Sequence, residues 1–488
     1  MKNRIAEVFL AVLIIFSLLV NNMYSEELSV KKIIFVGDST VQTYPDNDKT
    51  RGWGQILPSY FGPKAVCKNT AMGGRSTKTF ISEGRWKKVL DEKPDIIFIQ
   101  FGHNDSHAKD KPESTDASTD YKEYLEKYVS EGKEIGAKII LVTPMQRRFF
   151  DQNGKIKGNL GPYAETMRTV ASATNTPLID LHQRSKELLE NLGEAGSEDL
   201  FCSATDRTHF SEKGASVMAK FIMEAIQKDI PELKPYLKDQ KELDMMELFD
   251  KVNGLKWKKS FEDECTVDWK QKWFLDGSLA KVENTPEGMI FSAGPNDKAN
   301  DSHAVLWTKD SFKGNLKIRL EFTRLEDIPN YVNILYIQAT GKGVNPYSED
   351  ITEWNDLRKV ASMNTYYDNM RLLHISYAAN AGKNNPNNNR DYVRARLYPR
   401  DPSGKFQDTE LEPSYTDSGL FKKDVPYVFT CIKTREDLFL KVTGDGKEKI
   451  FHWDISKIKV PEAGRFGIRH MCTRIGRYKN VSIWEVSQ

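Results

Sequence analysis

Short apolar runs rich in β-branched residues alternate with helical patterns over residues 30 to 230. The runs occupy residues 32–36, 95–100, 138–142 and 176–181, and amphipathic stretches with helical spacing occupy 121–135, 161–173 and 213–228. Strands that alternate with helices form a parallel sheet that is covered by helices on both faces. This part of the chain is therefore predicted to be an α/β domain whose functional groups lie on loops after the carboxyl ends of the strands.

The second half of the chain has a different sequence pattern. From residue 257 onward there are short alternating segments rich in aromatic and β-branched residues, such as 316–322 and 427–432, and few helical patterns. Such a pattern is typical of an all-β sandwich. A length of 488 residues is too great for one ordinary core. We predict an α/β domain over residues 30–232, a connector over 233–254 and a β-sandwich over 255–488.

The first residues bear on the cellular location of the chain, and its overall charge bears on its partners. Lys2 and Arg4 precede an apolar run over residues 8–20, which is typical of a secretory signal peptide and shorter than the roughly 20 residues of a membrane-spanning helix. We predict a signal peptide over residues 1–25, export to the periplasm or the cell exterior, and no stable membrane insertion afterwards; an uncleaved anchor is the alternative. A net charge of +2 gives no electrostatic reason to expect nucleic acid as a partner.

Four segments of the α/β domain carry residues suited to acyl chemistry. Ser39, in Gly-Asp-Ser-Thr, directly follows the first strand, where a tight turn can present its hydroxyl. Gly74 permits a close backbone approach, and Asn104 follows the second long strand, where its amide can donate to a developing oxyanion. Asp206 precedes His209 by three residues, so its carboxylate can orient the imidazole as a base. Each segment alone fits an ordinary loop, but together they predict a serine-dependent acyl hydrolase.

These four segments resemble the four sequence blocks of the SGNH hydrolase superfamily, in the same order and at similar separations. The resemblance implies a flavodoxin-like, three-layer fold. It implies that Ser39 is the nucleophile, His209 the general base and Asp206 the residue that orients it. The Ser39 and Gly74 backbone amides and the Asn104 side chain would form the oxyanion hole. The implied reaction requires neither a metal nor an organic cofactor.

Within that superfamily, the segments at 37–40, 74–76, 101–105 and 206–210 resemble the rhamnogalacturonan acetylesterases. This implies a secreted carbohydrate esterase that removes O-acetyl groups from pectic rhamnogalacturonan of the plant cell wall. An esterase for another acetylated polysaccharide, xylan or peptidoglycan, is the alternative. Basic residues near the site would suit an anionic polymer, although a surface or structural role is the simpler explanation for each of them: Arg75, which we name as a substrate-binding candidate, and Arg147, Arg148 and Arg207.

The β-rich region carries no comparable set of residues. Residues 307–398 resemble a family of bacterial domains with a concanavalin-like jelly roll and uncharacterised function, which occur beside pectin-degrading esterases. Two functions compete for this region: a carbohydrate-binding module, or a second enzyme such as a polysaccharide lyase or hydrolase. A second enzyme would need convergent polar side chains, and the sequence offers His303, His374, Tyr377, Arg394, Arg396 and His470.

Overall fold

The computed structural model describes residues 29–45, 47–327, 331–379 and 391–486. The chain divides into two compact units, Met1–Gln240 and Lys241–Gln488. The predicted signal peptide at residues 1–25 lies outside the described residues. Among the helices of the described ranges, none combines the length and the apolar content that crossing a bilayer requires.

The first unit is built on a parallel sheet of five strands. These are β1 (Lys31–Gly37), β2 (Ala65–Asn69), β3 (Ile96–Gln100), β4 (Lys138–Val142) and β5 (Leu178–Ile179). They lie side by side in the order β2-β1-β3-β4-β5, and all neighbouring pairs are parallel. The connection after β1 leads to β2 on one side, and the connection after β3 leads to β4 on the other side, so the sheet has a switch point between the carboxyl ends of β1 and β3. Open α/β sheets bind ligands at such a switch point, beside the carboxyl ends of the strands. The predicted α/β fold class is confirmed.

Helices of the first unit follow the strands and supply the rest of its core. They are α1 (Trp53–Ile56), α2 (Thr77–Ser82), α3 (Arg85–Asp91), α4 (Asp120–Glu134), α5 (Gly161–Ala173), α6 (Leu181–Gly196) and α7 (Glu212–Asp229). In α4 the apolar residues Tyr121, Leu125 and Tyr128 recur at helical spacing, and all three are buried against the sheet. Burying each such side chain contributes about 1.5–3 kcal/mol, so this core holds the strand ends, and the loops after them, in place.

The second unit is a β-sandwich that begins with helix α8 (Gln240–Asn253). Its strands are β6 (Trp257–Asp263), β7 (Trp273–Asp276), β8 (Lys281–Thr285), β9 (Gly288–Ser292), β10 (Ala304–Lys313), β11 (Leu316–Arg324), β12 (Asn333–Gly341), β13 (Met370–Ala379), β14 (Tyr392–Tyr398), β15 (Glu410–Thr416), β16 (Pro426–Lys433), β17 (Asp437–Gly444), β18 (Lys447–Asp454), β19 (Ala463–His470) and β20 (Ile475–Val486). One sheet has the order β15-β14-β13-β12-β19-β10-β7, and the other has the order β18-β17-β16-β11-β20-β9-β8, with β6 beside β20. The predicted all-β sandwich is confirmed.

The seven-stranded sheet is covered on both faces. Its inner face packs against the other sheet, with Leu335 and Ile468 in the large apolar core between them. Its outer face is covered by a 3-10 segment, Ile351–Arg358, and by helix α9 (Met363–Asn369). Alternate residues of β12 and β10 therefore point to different layers, as the period of two along a strand requires.

Candidate active site

Three of the predicted residues form a continuous line of polar contacts. Ser39 lies two residues beyond the end of β1, and its Oγ is 3.0 Å from Nε2 of His209. Nδ1 of the same imidazole is 2.9 Å from Oδ2 of Asp206. The hydroxyl therefore contacts the imidazole, and the imidazole contacts the carboxylate. This arrangement lets a histidine remove the serine proton. The fold brings together groups that are 170 positions apart in the chain.

The Asp206 carboxylate is held in one orientation by its own turn. The backbone N–H groups of Thr208 and His209 both donate to its Oδ1, each over 2.8 Å. Burial alone would raise the pKa of Asp206, but these backbone hydrogen bonds and the one from the His209 side chain lower it to about 2. Asp206 is therefore charged at neutral pH and accepts a hydrogen bond from the Nδ1 N–H of His209. That tautomer leaves Nε2 of His209 as the acceptor that faces Ser39.

The two other predicted segments lie beside the nucleophile. The Asn104 side chain donates from Nδ2 to the carbonyl oxygen of Arg75 over 2.9 Å, which joins the loop after β3 to the loop after β2. A Cβ added at Gly73 would lie 3.4 Å from Cβ of Ser39, so this second loop passes next to the nucleophile. Gly74 has φ +77°, a left-handed conformation that glycine adopts without steric cost. Within the described ranges, the Ser39 and Gly74 amides donate to no protein acceptor.

Two residues that the sequence did not single out support this turn. Gln42 accepts a hydrogen bond from the Gly73 backbone N–H through Oε1. Tyr44 donates its hydroxyl to the carbonyl oxygen of Ser39 over 2.8 Å. Both belong to the stretch that follows the Gly-Asp-Ser-Thr segment, so their position next to that motif was the available signal. They tie the nucleophile turn to the glycine loop.

A buried carboxylate and histidine lie under the nucleophile. Asp38 is fully buried and accepts from the backbone N–H and the hydroxyl of Thr40, over 2.8 and 2.7 Å. Nδ1 of His103 lies 3.4 Å from its second oxygen. Burial favours the neutral acid, but His103 and Thr40 more than offset this and hold the pKa of Asp38 below its usual value. This pair fixes the turn after β1 to the loop after β3.

Asp105 performs a similar task for the glycine loop. It is fully buried and accepts from the Thr77 backbone N–H over 3.1 Å, the Thr77 hydroxyl over 2.5 Å and the Thr115 hydroxyl over 3.1 Å. Burial raises its pKa to about 7 against these hydrogen bonds, and the nearby charge of Asp38 adds to the rise. Thr77 is the first residue of α2, so Asp105 fixes the point where the glycine loop enters that helix.

The predicted basic residues are all engaged locally. The Arg75 guanidinium pairs with Glu83 over 3.1 Å and donates to the carbonyl oxygen of Gly73 over 2.9 Å. The other three also donate to backbone carbonyl oxygens: Arg147 to His103, Arg148 to Glu194 and Ala204, and Arg207 to Arg148. Their contacts support loop structure around the site, and the substrate-binding role of Arg75 stays a prediction.

The six polar candidates of the second unit divide between the two faces of the seven-stranded sheet. Tyr377 and His470 face the space between the two sheets, where each lies 2.7 Å from the hydroxyl of Tyr478. His374 belongs to the outer face of the seven-stranded sheet, where its ring packs edge-on against that of Tyr336. The remaining three lie with it on that side of the sheet: His303, Arg394 and Arg396.

The comparisons with known proteins agree with this geometry. A model of the GDSL-like Lipase/Acylhydrolase family matches residues 35–217. A Bacillus subtilis protein named a probable rhamnogalacturonan acetylesterase is 41% identical over 201 residues, which are 40% of this chain and 92% of that protein. The chain belongs to this GDSL-like family. It is a serine esterase, and the predicted SGNH membership is confirmed.

Two further relatives of the chain have names that refer to polysaccharides. A rhamnogalacturonan acetylesterase of Bacillus subtilis is 35% identical over 221 residues, which are 42% of this chain and 94% of that protein. An acetylxylan esterase of Xylanibacter ruminicola is 28% identical over 221 residues, which are 40% of this chain and 43% of that protein.

Proposed function

We propose that this protein is an exported carbohydrate acetylesterase that removes O-acetyl groups from pectic rhamnogalacturonan. The single observation that carries the chemistry is the line of contacts from Ser39 through His209 to Asp206. The polymer is proposed because two relatives, at 41% and 35% identity, are named as rhamnogalacturonan acetylesterases and are matched over nearly their whole length. Export is proposed from the apolar segment at residues 8–20, which lies outside the described residues.

The first half of the reaction transfers the acetyl group to the enzyme. His209 Nε2 takes the proton from Ser39 Oγ while that oxygen attacks the acetyl carbonyl carbon. The carbonyl oxygen becomes negatively charged in the tetrahedral intermediate. His209 then gives its proton to the sugar oxygen as the ester bond breaks. The products are an acetyl-Ser39 ester and a free sugar hydroxyl.

The second half regenerates the enzyme. A water molecule loses a proton to His209 and attacks the acetyl-Ser39 carbonyl carbon, and collapse of the intermediate returns the proton to Ser39 and releases acetate. Asp206 stays ionised throughout, because its hydrogen bonds hold its pKa at about 2. Its charge stabilises the imidazolium that forms twice in each cycle.

The negative oxygen of both intermediates needs hydrogen-bond donors that are already in place. We assign this role to the backbone amides of Ser39 and Gly74 and to the Asn104 side chain. Asn104 uses one N–H to hold the Arg75 carbonyl oxygen, so its amide plane is fixed before substrate arrives. Donors fixed in advance need no rearrangement as charge develops, which is the main source of their catalytic effect.

Acetate release from acetylated rhamnogalacturonan tests the proposal directly. Wild type should release acetate, and Ser39→Ala should lose activity by about 10³-fold or more because the acyl-enzyme no longer forms. Ser130→Ala is the matched control, because Ser130 is an exposed residue of α4 whose hydroxyl donates to the Lys127 carbonyl oxygen of the same helix. Retention of the wild-type rate by Ser39→Ala would show that Ser39 is not the nucleophile.

A second substrate is favoured by one comparison. The acetylxylan esterase relative supports acetylated xylan as the competing polymer, and acetylated peptidoglycan is a third option. The same assay, run on acetylated xylan and acetylated peptidoglycan at equal acetyl content, separates these. A higher kcat/KM on either of them than on rhamnogalacturonan would reject the pectic substrate and leave the esterase chemistry intact.

A further inference from the structure

Phe149 is the most exposed aromatic side chain of the described ranges. It is 44% exposed, whereas every other Phe, Tyr and Trp side chain there is buried or half-buried. It belongs to the loop that follows the carboxyl end of β4. Because β4 is the neighbour of β3 and parallel to it, this loop leaves the sheet at the same edge as the Asn104 loop.

Hydrogen bonds fix the two residues before Phe149 to both loops of the active site. Nη2 of Arg147 donates to the carbonyl oxygen of His103, in the loop after β3, over 2.8 Å. The Arg148 backbone N–H donates to the Arg207 carbonyl oxygen over 2.8 Å, and Nη1 of Arg207 donates back to the Arg148 carbonyl oxygen over 2.9 Å. Arg207 belongs to the turn that carries the catalytic base. The exposed ring therefore lies beside the active site, next to the turn of the base.

The backbone around the ring is fixed by further contacts. The Lys157 N–H donates to the Phe149 carbonyl oxygen over 2.8 Å, which closes a short hairpin. Glu190 of α6 accepts from the Ile156 backbone N–H over 3.0 Å and so anchors this hairpin to a helix. The Arg207 guanidinium lies 5.7 Å from the centre of the Phe149 ring, within the range of a cation–π contact. A ring that is positioned in advance loses little entropy when a ligand packs on it.

The part of the substrate that lies nearest to Phe149 follows from the proton transfers of the proposed mechanism. His209 protonates the sugar oxygen as the ester bond breaks, so the sugar lies on the His209 side of the acetyl group. Phe149 lies on that same side, because its hairpin is bonded to the turn that contains His209. The exposed ring is therefore close to the sugar and not to the acetyl methyl group.

We propose that Phe149 is a specificity-determining residue, which binds the sugar ring of the leaving group by stacking against its C–H face. An exposed aromatic ring keeps apolar surface in water, and packing on the apolar face of a pyranose removes that surface from water. This inference rests on the proposed function for the class of substrate, an acetylated polysaccharide. Acyl transfer itself uses other groups, so the stacked ring acts on substrate binding.

Steady-state rates of Phe149→Ala on acetylated rhamnogalacturonan and on ethyl acetate test the proposal. KM on the polysaccharide should rise about tenfold with kcat nearly unchanged, because the sugar is stacked both before and during the reaction. Ethyl acetate has no sugar ring, so kcat/KM on it should fall by no more than about twofold. Phe149→Trp should keep the wild-type KM on the polysaccharide. Phe149→Leu, which is apolar but has no flat ring, should not.

Ile135→Ala is the matched control for removing an exposed apolar side chain. Ile135 is 37% exposed and lies between α4 and the start of β4, at the amino edge of the sheet, opposite to the active site. Its substitution should change KM on the polysaccharide by no more than about twofold. An unchanged KM in Phe149→Ala, an equal loss on ethyl acetate, or a wild-type KM in Phe149→Leu would overturn the proposal.

Calorimetric titration of the full-length Ser39→Ala protein with a rhamnogalacturonan oligosaccharide measures the same contact without catalysis. Adding Phe149→Ala to this protein should weaken binding about tenfold, and equal affinities would contradict stacking. If xylan is the preferred polymer in the acetate-release assay, a xylo-oligosaccharide takes the place of the pectic one, because both contain pyranose rings. Failure of the wild type to release acetate would overturn the esterase proposal, whereas the titration decides the role of Phe149 independently.

Discussion

The pKa values of two carboxylates near the nucleophile are shifted in opposite directions by their surroundings. Asp206 is partly exposed, and hydrogen bonds from its own turn and from His209 lower its pKa to about 2. Asp105 is fully buried, and burial raises its pKa to about 7 although three donors point at it. The first stays charged at any working pH. The second titrates near neutrality, at the residue that fixes the entry to α2.

The raised pKa of Asp105 makes stability depend on pH in a defined direction. Folding favours the protonated acid, so this group stabilises most below its unfolded pKa near 4, and that contribution is lost as pH rises to about 7. The loss amounts to up to about 4 kcal/mol. The Asp105→Asn variant lacks this titration. We therefore expect its unfolding free energy, relative to that of wild type, to increase between about pH 4 and about pH 7. Urea unfolding across that range measures the difference, and a constant gap would contradict burial of the Asp105 carboxyl as the cause.

Asn104 offers a kinetic test at the same scale. Its proposed catalytic role is confined to the charged intermediate, so Asn104→Ala should lower kcat by about 10²-fold and leave KM nearly unchanged. Initial rates on an aryl acetate measure both constants. Asn153→Ala, in an exposed turn, is the control for removing an asparagine side chain. A change confined to KM in Asn104→Ala would assign the residue to substrate binding instead.

At the scale of elements, the sequence predicted the long, buried strands and helices well. The strand predicted at 138–142 is Lys138–Val142, and the helix predicted at 161–173 is Gly161–Ala173. The strand predicted at 176–181 is reduced to Leu178–Ile179, because Asp180 caps α6 by accepting from the Gln183 N–H. Strand β2 was not predicted, since this edge strand is only partly buried and lacks an apolar run.

The active-site residues also divide into those that a local sequence pattern indicates and those whose role depends on distant contacts. Ser39, Asn104 and His209 could be picked out because each lies in a short motif at the end of a recognisable element. The roles of Gln42 and of Asp105, which lies inside the segment 101–105, could not be predicted, because they arise from contacts with Gly73 and Thr77, which are 31 and 28 positions away. Nothing in the local pattern indicates which loop a polar side chain will reach.

The glycine loop provides a prediction for this scale. Gly74 and Gly84 have φ of +77° and +70°, and an added Cβ would meet no atom within 4 Å at either position. Alanine at either should therefore cost about 1–2 kcal/mol of stability through backbone strain alone. Only Gly74→Ala should also lower kcat on an aryl acetate, because relief of the strained φ would turn the backbone N–H that we assign to the oxyanion hole. Thermal unfolding and initial rates compare the two variants. Equal kcat in both would contradict the expected displacement of the Gly74 amide.

At the scale of the molecule, the two units are each complete in structure. Met1–Gln240 contains the sheet, its helices and every residue assigned to ester hydrolysis. Lys241–Gln488 has its own large apolar core between two antiparallel sheets. Units of this size with separate cores are able to fold alone. Ester hydrolysis is thus assigned to the first unit.

A chain that ends at Gln240 tests this division of labour. It should hydrolyse an aryl acetate with kcat/KM within about twofold of the full-length enzyme, because the residues from Ser39 to His209 are all retained. On acetylated rhamnogalacturonan its KM should rise about tenfold or more, since a second attachment to the same polymer raises the effective concentration at the first site. If the shortened chain keeps the full-length KM on polymer, the second unit does not hold the substrate.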